Sequence, residues 1–353
     1  MKYFFGFSAW KHTYIELFFN EKIIFINPLW GNNNLELALK SGLCPQNSIY
    51  VWGKKSFPDV EKYAQDNEIA LYRIEDGFIR SIGLGSDLTQ PYSLVVDTRG
   101  IYFDPTNPSD LEWILETNVF DTEIVERARK IKDYLIVKKL SKYNLYSDVR
   151  LTFPADKVII VVPGQVEDDA SIRYGASGMS NLELLQQVRL NRPDGYIVYK
   201  PHPDVLVGNR VGNIEDRIAL QYCNAIVTEV SIDSILSHAD EVHTMTSLVG
   251  FEALIRGIPV YTYGLPFYAG WGLSEDKLQS TRRTKKLNID ELIAGTLILY
   301  PRYVHPETNN RCEVEELLHV LEKKRGSYNN SIWTKIRNRI SRNSQQILRM
   351  IQK

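Results

Sequence analysis

Four groups of residues have the types and spacing to do chemistry. In RIEDG, Glu75 and Asp76 stand side by side where the β-type run ALYRI meets Gly77. Paired carboxylates at a strand end can serve as nucleophile and as acid or base, or simply form an acidic turn. Gly77 is expected to supply backbone angles closed to other residues. In YIVYKPHPD, Lys200 and His202 follow a strand, and Pro201 and Pro203 stiffen the loop that carries them. A lysine and a histidine so held suit a phosphate; the plainer alternative is a rigid connection with a solvated histidine. In TMTSLVGFE, Thr246 and Ser247 stand where a strand gives way to a helix whose first turn would favour an anion. Glu252, about one turn in, suits a ribose diol. An ordinary N-cap with a helical ion pair fits the same residues. Finally, PGQVEDD places Gln165 and three acids beyond another strand end, with Arg173 a few residues on as a candidate for an anionic substrate group.

The acids Glu167, Asp168 and Asp169 also match a Mg²⁺ site. A basic phosphate clamp takes over that role, so no metal is expected. GLGSDL (83–88) contains a GxG but does not open a helix in a βαβ unit, and no GxSxG elbow is present.

The elements that must position these residues alternate between β-type runs and helical patterns, the signature of an α/β fold. Expected strands in the first half are KYFFGFS, KIIFINP, SIYVWG, ALYRI, YSLVVD and GIYFD. Helical segments LELALKSGL, VEKYAQDN and DLEWILET lie between them, and Asp121 is positioned to cap the long helix DTEIVERARKIKDYLIVKKL. The pattern breaks near residue 150. It restarts with KVIIVVPGQ, an unbroken apolar run suited to a buried parallel strand, then SNLELLQQVRLN, YIVYK, EVHTM, SLVGFEALIRG and IPVYTYG. Two similar halves imply a bilobed molecule whose ligand sits beyond the carboxyl ends of the strands. The expected units are an N-terminal α/β domain (1–150), a second α/β domain (151–305), a helical segment (306–326) and a basic tail (327–353).

The 353 residues carry a net charge of −1, which hides an asymmetry. Residues 322–353 hold nine Lys and Arg against one acid, so the body is acidic and a nucleic-acid partner is not expected. In the tail, Ile332, Ile336, Ile340, Ile347 and Ile351 recur at helical spacing among the basic residues, the pattern of a helix lying on an anionic membrane surface. No apolar run reaches the length of a membrane span. The N-terminus, interrupted by Lys11, His12 and Glu16, reads as a strand and helix rather than a signal peptide. Cys44, Cys223 and Cys312 lack zinc or disulfide spacing and point to a reducing compartment, the cytoplasm.

The blocks RIEDGFIRSIGLGSDLTQPYSLVVDTRGIYFDPTNPSDLE, SKYN, GQVEDDASIRYGA, YKPHPD and TSLVGFEALIRGIPVYTYGLPFYAGWGL resemble, in order, the bacterial capsule β-Kdo transferases of the KpsC type. The resemblance runs from about residue 3 to 320. It implies a GT-B fold of two Rossmann-like domains and transfer of 3-deoxy-D-manno-octulosonic acid (Kdo) from CMP-β-Kdo, with retention, to a saccharide or glycolipid acceptor. Carried over by position, His202 and Pro203 would hold CMP, and Lys200, Thr246, Ser247 and Glu252 would support its phosphate and ribose. Gln165 and Arg173 would face the donor. Asp76 would be the nucleophile of a double displacement, with Glu75 beside it as acid or base or as support. The resemblance also implies a place on the cytoplasmic face of the inner membrane, beside the capsule assembly machinery. Such enzymes carry two modules in tandem; this chain holds one, whose start, GFSAWKH, is more like the second. Another CMP-ulosonic acid such as CMP-sialic acid, or a CMP-binding scaffold role, fits the same residues.

Overall fold

The computed structural model describes residues 1–328 except 20, 28–32, 84–88, 143–150, 207, 209 and 229. The expected break near residue 150, most of GLGSDL and nearly all of the basic tail lie outside the described residues.

The first sheet is built from β1 (Lys2–Phe5), β2 (Ile23–Ile26), β3 (Ser48–Trp52), β4 (Ala70–Asp76) and β5 (Ser93–Asp97). Their alternation is two-sided. Tyr3 and Phe5 of β1 enter one apolar cluster with Ala38, Val60 and Ala64 of the helices Asn34–Lys40 and Pro58–Asp66, while Phe4 enters another with Tyr14, Ile15 and Phe18. Burial on both faces is what a mainly parallel sheet requires. β1 pairs in parallel with β2 and β3, and β3 with β4; β5 runs antiparallel to β4.

The second sheet contains β6 (Ile159–Pro163), β7 (Tyr196–Lys200), β8 (Ala225–Ile226), β9 (Glu241–Thr244), β10 (Val260–Thr262) and β11 (Glu275–Asp276), all parallel, in the order β11-β10-β9-β6-β7-β8. All five residues of β6 are buried. The connecting helices start on side-chain caps: Ser180 and Glu183 form a capping box for Asn181–Asn191, and Ser247 caps Leu248–Ile255. Gly257, at φ +72, closes the latter helix as its position suggests.

Two expectations need correction. GIYFD is not a strand. Asp97, at the end of β5, takes the backbone N–H groups of Arg99 and Gly100 on Oδ1, and this turn ends the ladder before Ile101. The second unit also ends earlier than residue 305. The helix Ile289–Ile293 packs on the helix Thr122–Val137, and β12 (Pro301–Val304) pairs antiparallel with β5, followed by β13 (Arg311–Cys312) at the edge. The first sheet thus has the order β13-β12-β5-β4-β3-β1-β2. The helix Val314–Tyr328 then adds Val314, Leu317, Leu318 and Leu321 to the core.

One apolar cluster runs without a break from Phe78, Val95 and Leu115 of the first unit to Val161, Val242 and Phe267 of the second. A polar clamp joins them as well. Glu112, in the helix Asp110–Thr117, receives Nε of Arg282 at 2.5 Å and Nε of Arg283 at 2.9 Å, and the buried Arg283 also donates to the carbonyls of Pro266 and Ala269. Among the described residues no helix is long and apolar enough to cross a membrane.

Candidate active site

Asp76 is the last residue of β4, opposite Leu94 of β5. Gly77 follows it for a steric reason, since its backbone is not left-handed. A Cβ at residue 77 would lie 2.2 Å from Oγ of buried Ser93, so only glycine lets the two strands stay this close at their ends. Oδ2 of Asp76 accepts Nε–H of Arg80 at 2.6 Å, whereas Oδ1 is buried and accepts no hydrogen bond among the described residues. Arg80 is itself buried and is held by Ser81 Oγ and the Thr89 carbonyl. Burial disfavours charge on Asp76, but Arg80, then Lys11 and Lys142, outweigh it and hold this carboxyl below its ordinary range.

Glu75 behaves in the opposite way. Burial, then the neighbouring Asp76 charge, push it up to about 7. Two adjacent carboxyls thus differ in charge near neutrality, the division of roles that acid–base sites use. A stability consequence follows. The unfolded Glu75 ionises near its ordinary value and the folded one near 7, so between these pH values only the folded state holds the proton. Stability is therefore lost as pH rises through that window. Glu75→Gln removes the effect. Its melting temperature relative to wild type is expected to rise by a few degrees, as an order of magnitude, between pH 5 and pH 8. A difference independent of pH would show that Glu75 titrates normally.

Across from these acids lies a cleft of about 420 Å³ lined by both units. Of the residues singled out in the sequence, Glu75, Asp76, Gln165, Lys200, His202, Pro203, Thr246, Ser247 and Glu252 all line it. His202 accepts the Asp204 N–H on Nδ1 at 3.1 Å, which places its proton on Nε2 as a donor, and burial keeps the ring neutral by lowering its pKa. Lys200 is buried at the end of β7, and burial draws its ammonium down to about 8. Gly164 makes room for this loop: a Cβ there would lie 2.7 Å from Tyr199 Oη and 3.1 Å from Cα of Pro201.

Gln165 has a structural task on the cleft wall. Its Nε2 donates to Thr246 Oγ1 at 3.0 Å, and its Oε1 accepts the Thr246 N–H at 2.9 Å. This fixes the turn that leads into Ser247, whose Oγ accepts the Val249 N–H at 3.2 Å. Glu252 reaches across to the first unit, where its Oε1 accepts the Lys142 N–H at 3.2 Å. The Lys142 carbonyl accepts in turn from the N–H groups of Arg80 and Ser81. A short chain of bonds therefore runs from Glu252 to the arginine that holds Asp76.

Arg173 is not among the residues that line the cleft: it lies in the helix Ala170–Gly175, whose inward positions are Ile172 and Gly175, and it is exposed. Arg210, from the next loop, lines the cleft instead and pairs with Asp168 at 3.1 Å. The acidic trio is employed within the protein: Asp169 caps Ala170–Gly175, and Glu167 accepts the Asn181 N–H. No group of three His, Cys, Asp or Glu among the described residues is arranged to hold a metal ion. Arg80 and Lys142 complete the site with little signal in the sequence. Only the block SKYN pointed toward Lys142; for Arg80, four residues after Asp76, spacing carries no signal because the chain between them is not helical.

One wall of the cleft thus offers a lysine, a neutral histidine donor and a helix start, the equipment for a phosphate. The other offers a carboxylate held ionised by Arg80 beside a second carboxyl of near-neutral pKa. Known proteins share this frame. The profile of the family described as "Capsule polysaccharide biosynthesis protein" matches residues 47–303. "Capsule polysaccharide modification protein LipA" of Neisseria meningitidis serogroup B is 44% identical over 92% of this chain, which spans 46% of that protein. "Lipopolysaccharide-processing protein LpsZ" of Rhizobium meliloti is 38% identical over 89% of this chain and 72% of its own length. Among solved structures, the β-Kdo 2,7-transferase of Thermosulfurimonas dismutans KpsC superposes with a TM-score of 0.74 at 42% identity, covering 92% of this chain and 99% of that one. The β-Kdo 2,4-transferase of the same KpsC gives 0.76 at 29% identity over 90% and 97% of the two chains. The chain spans about half the length of the meningococcal relatives, and it belongs to the capsule polysaccharide biosynthesis protein family as a KpsC-type protein with the GT-B glycosyltransferase fold.

Proposed function

We propose that this chain is a retaining β-Kdo transferase of capsule synthesis, which moves Kdo from CMP-β-Kdo to a saccharide or glycolipid acceptor by double displacement on Asp76. The observation that carries this reading is Asp76 at the cleft wall, its Oδ2 held by Arg80 and its carboxyl kept below the ordinary range by that guanidinium against burial. In the first step the Asp76 carboxylate attacks the anomeric carbon. The bond from that carbon to the phosphate oxygen breaks, and CMP departs with the electron pair. Lys200, Nε2–H of His202 and the start of the helix Leu248–Ile255 face the charge that develops on the phosphate, a preorganised arrangement that needs no reorganisation during the step.

The second step uses Glu75. Once Asp76 has become a glycosyl ester it carries no charge, so one of the two causes that raise Glu75 disappears. Glu75 then ionises more readily at the moment when an acceptor hydroxyl must lose its proton. The hydroxyl attacks the anomeric carbon, the ester bond breaks to restore the Asp76 carboxylate, and Glu75 takes the proton. Two inversions give net retention. The higher identity to the 2,7-transferase favours a β-2→7 linkage over β-2→4. An acceptor at the inner face of the membrane accords with the basic tail.

Incubation with CMP-β-Kdo and a short β-Kdo glycoside tests the proposal. The expected product has a new β-configured linkage to O7 by NMR. An α-linked product would sink the double displacement, and absence of both transfer and CMP release would sink the donor assignment.

A further inference from the structure

The carboxylate pair has a second flank. β1, β3 and β4 are parallel neighbours, so the segments that leave them share one rim of the sheet. After β1, Lys11 sets its Nζ 3.0 Å from the centre of the Trp52 ring and 5.5 Å from that of Trp10. Two indoles thereby hold the ammonium of this partly buried lysine in place. Among the described residues this ammonium makes no hydrogen bond or salt bridge. Its burial draws it down to about 8, with Asp76 and Glu75 opposing that trend.

The same rim is shaped by two glycines. Gly6, at φ +79, lets Lys55 cross: a Cβ there would lie 2.7 Å from Lys55 Cδ, and Lys55 Nζ donates to the Gly6 carbonyl at 2.5 Å. Gly53, at φ +53, would place a Cβ 3.0 Å from Glu75 Oε2. Lys11, Trp52 and Lys55 are all absent from the lining of the nucleotide cleft, although Glu75 and Asp76 belong to it. Asp76 and Glu75 attract this ammonium only from beyond hydrogen-bond distance, so its N–H donors stay available to an anion that arrives beside them.

We propose that Lys11, bracketed by Trp10 and Trp52 and backed by Lys55, is the subsite for the carboxylate of an acidic acceptor sugar, on the β1–β3 side of Glu75. This rests on the transferase reading of the same site, and it makes Lys11 a specificity residue. The attacking hydroxyl would then approach Glu75 from the side away from the nucleotide. An ulosonic donor also carries a carboxylate, so the shared chemistry is a sugar carboxylate, and the test separates its two sources.

The full chain is titrated with the methyl β-glycoside of Kdo and with its neutral methyl ester, by saturation-transfer NMR without donor. CMP affinity measured on each sample reports a folded nucleotide site. Wild type is expected to prefer the acid over the ester by roughly ten- to a hundredfold, the range of a hydrogen bond to a charged group. Lys11→Met is expected to erase that preference while CMP still binds, and Lys11→Arg to restore most of it. A preference that survives Lys11→Met, or none in wild type, overturns the assignment. So does a rise in the KM of CMP-β-Kdo hydrolysis in Lys11→Met equal to the loss of acceptor binding, since that would give Lys11 to the donor. Failure of wild type to bind CMP would instead count against CMP-β-Kdo as the donor.

Discussion

Asp76→Asn is expected to lower transfer by roughly 10³-fold or more, the scale on which removal of a covalent nucleophile acts. The amide keeps the shape of the side chain and can still accept from Arg80 through its oxygen, so CMP binding is expected to persist. Wild-type protein mixed with CMP-β-Kdo in the absence of acceptor should show a covalent mass increase on the peptide that contains Asp76, and the variant should show none. The variant also removes the charge that helps to raise Glu75, so any residual hydrolysis should shift its pH dependence downward. An adduct on another residue, or a variant within tenfold of wild type, would remove Asp76 from the nucleophilic role.

Arg283→Met is expected to produce the largest loss of stability, about 3–5 kcal/mol, the range for breaking one partner out of a buried charged pair. Arg283 is only 7% exposed and serves Glu112 together with two carbonyls of the loop that carries Phe267 into the cleft. Methionine fills much of the volume but satisfies none of these acceptors. Denaturant unfolding measures the change, and a loss below about 1 kcal/mol would mean that Arg282 and water take over the clamp. Because the same clamp joins the two units, the variant should also weaken CMP-β-Kdo turnover more than CMP binding.

Much of this architecture was legible because its determinants are local. β6 announces itself by five consecutive apolar residues, the helix Thr122–Val137 by Asp121, and the His-Pro loop by two prolines after a strand. The placement of Gln165, Lys200, His202 and Ser247 at one cleft follows from the same logic, since parallel strands deliver their carboxyl ends to one edge. The misses share a different cause. β12 meets β5 across some 200 residues, and no periodicity encodes that pairing. Arg173 was assigned by its proximity in sequence, but which face of a six-residue helix meets the ligand depends on its packing. Lys142 acts through its backbone, and a main-chain N–H has no signature in side-chain types. For Gly77 the residue was right and the reason was not: a crowded neighbouring strand, rather than an unusual dihedral, demands it.

The late return of β12 to the first sheet bears on how the protein is made. When the ribosome has finished β5, that strand has β4 on one side and nothing on the other. Its partner leaves the exit tunnel about 200 residues later, roughly 10–40 s at ordinary elongation rates. During that interval an unpaired edge sits one strand away from Asp76, open to the same strand in another nascent chain. Assembly of the sheet that carries Asp76 therefore waits on completion of the other lobe, and truncations that stop short of residue 304 should yield aggregates rather than an isolated N-terminal unit.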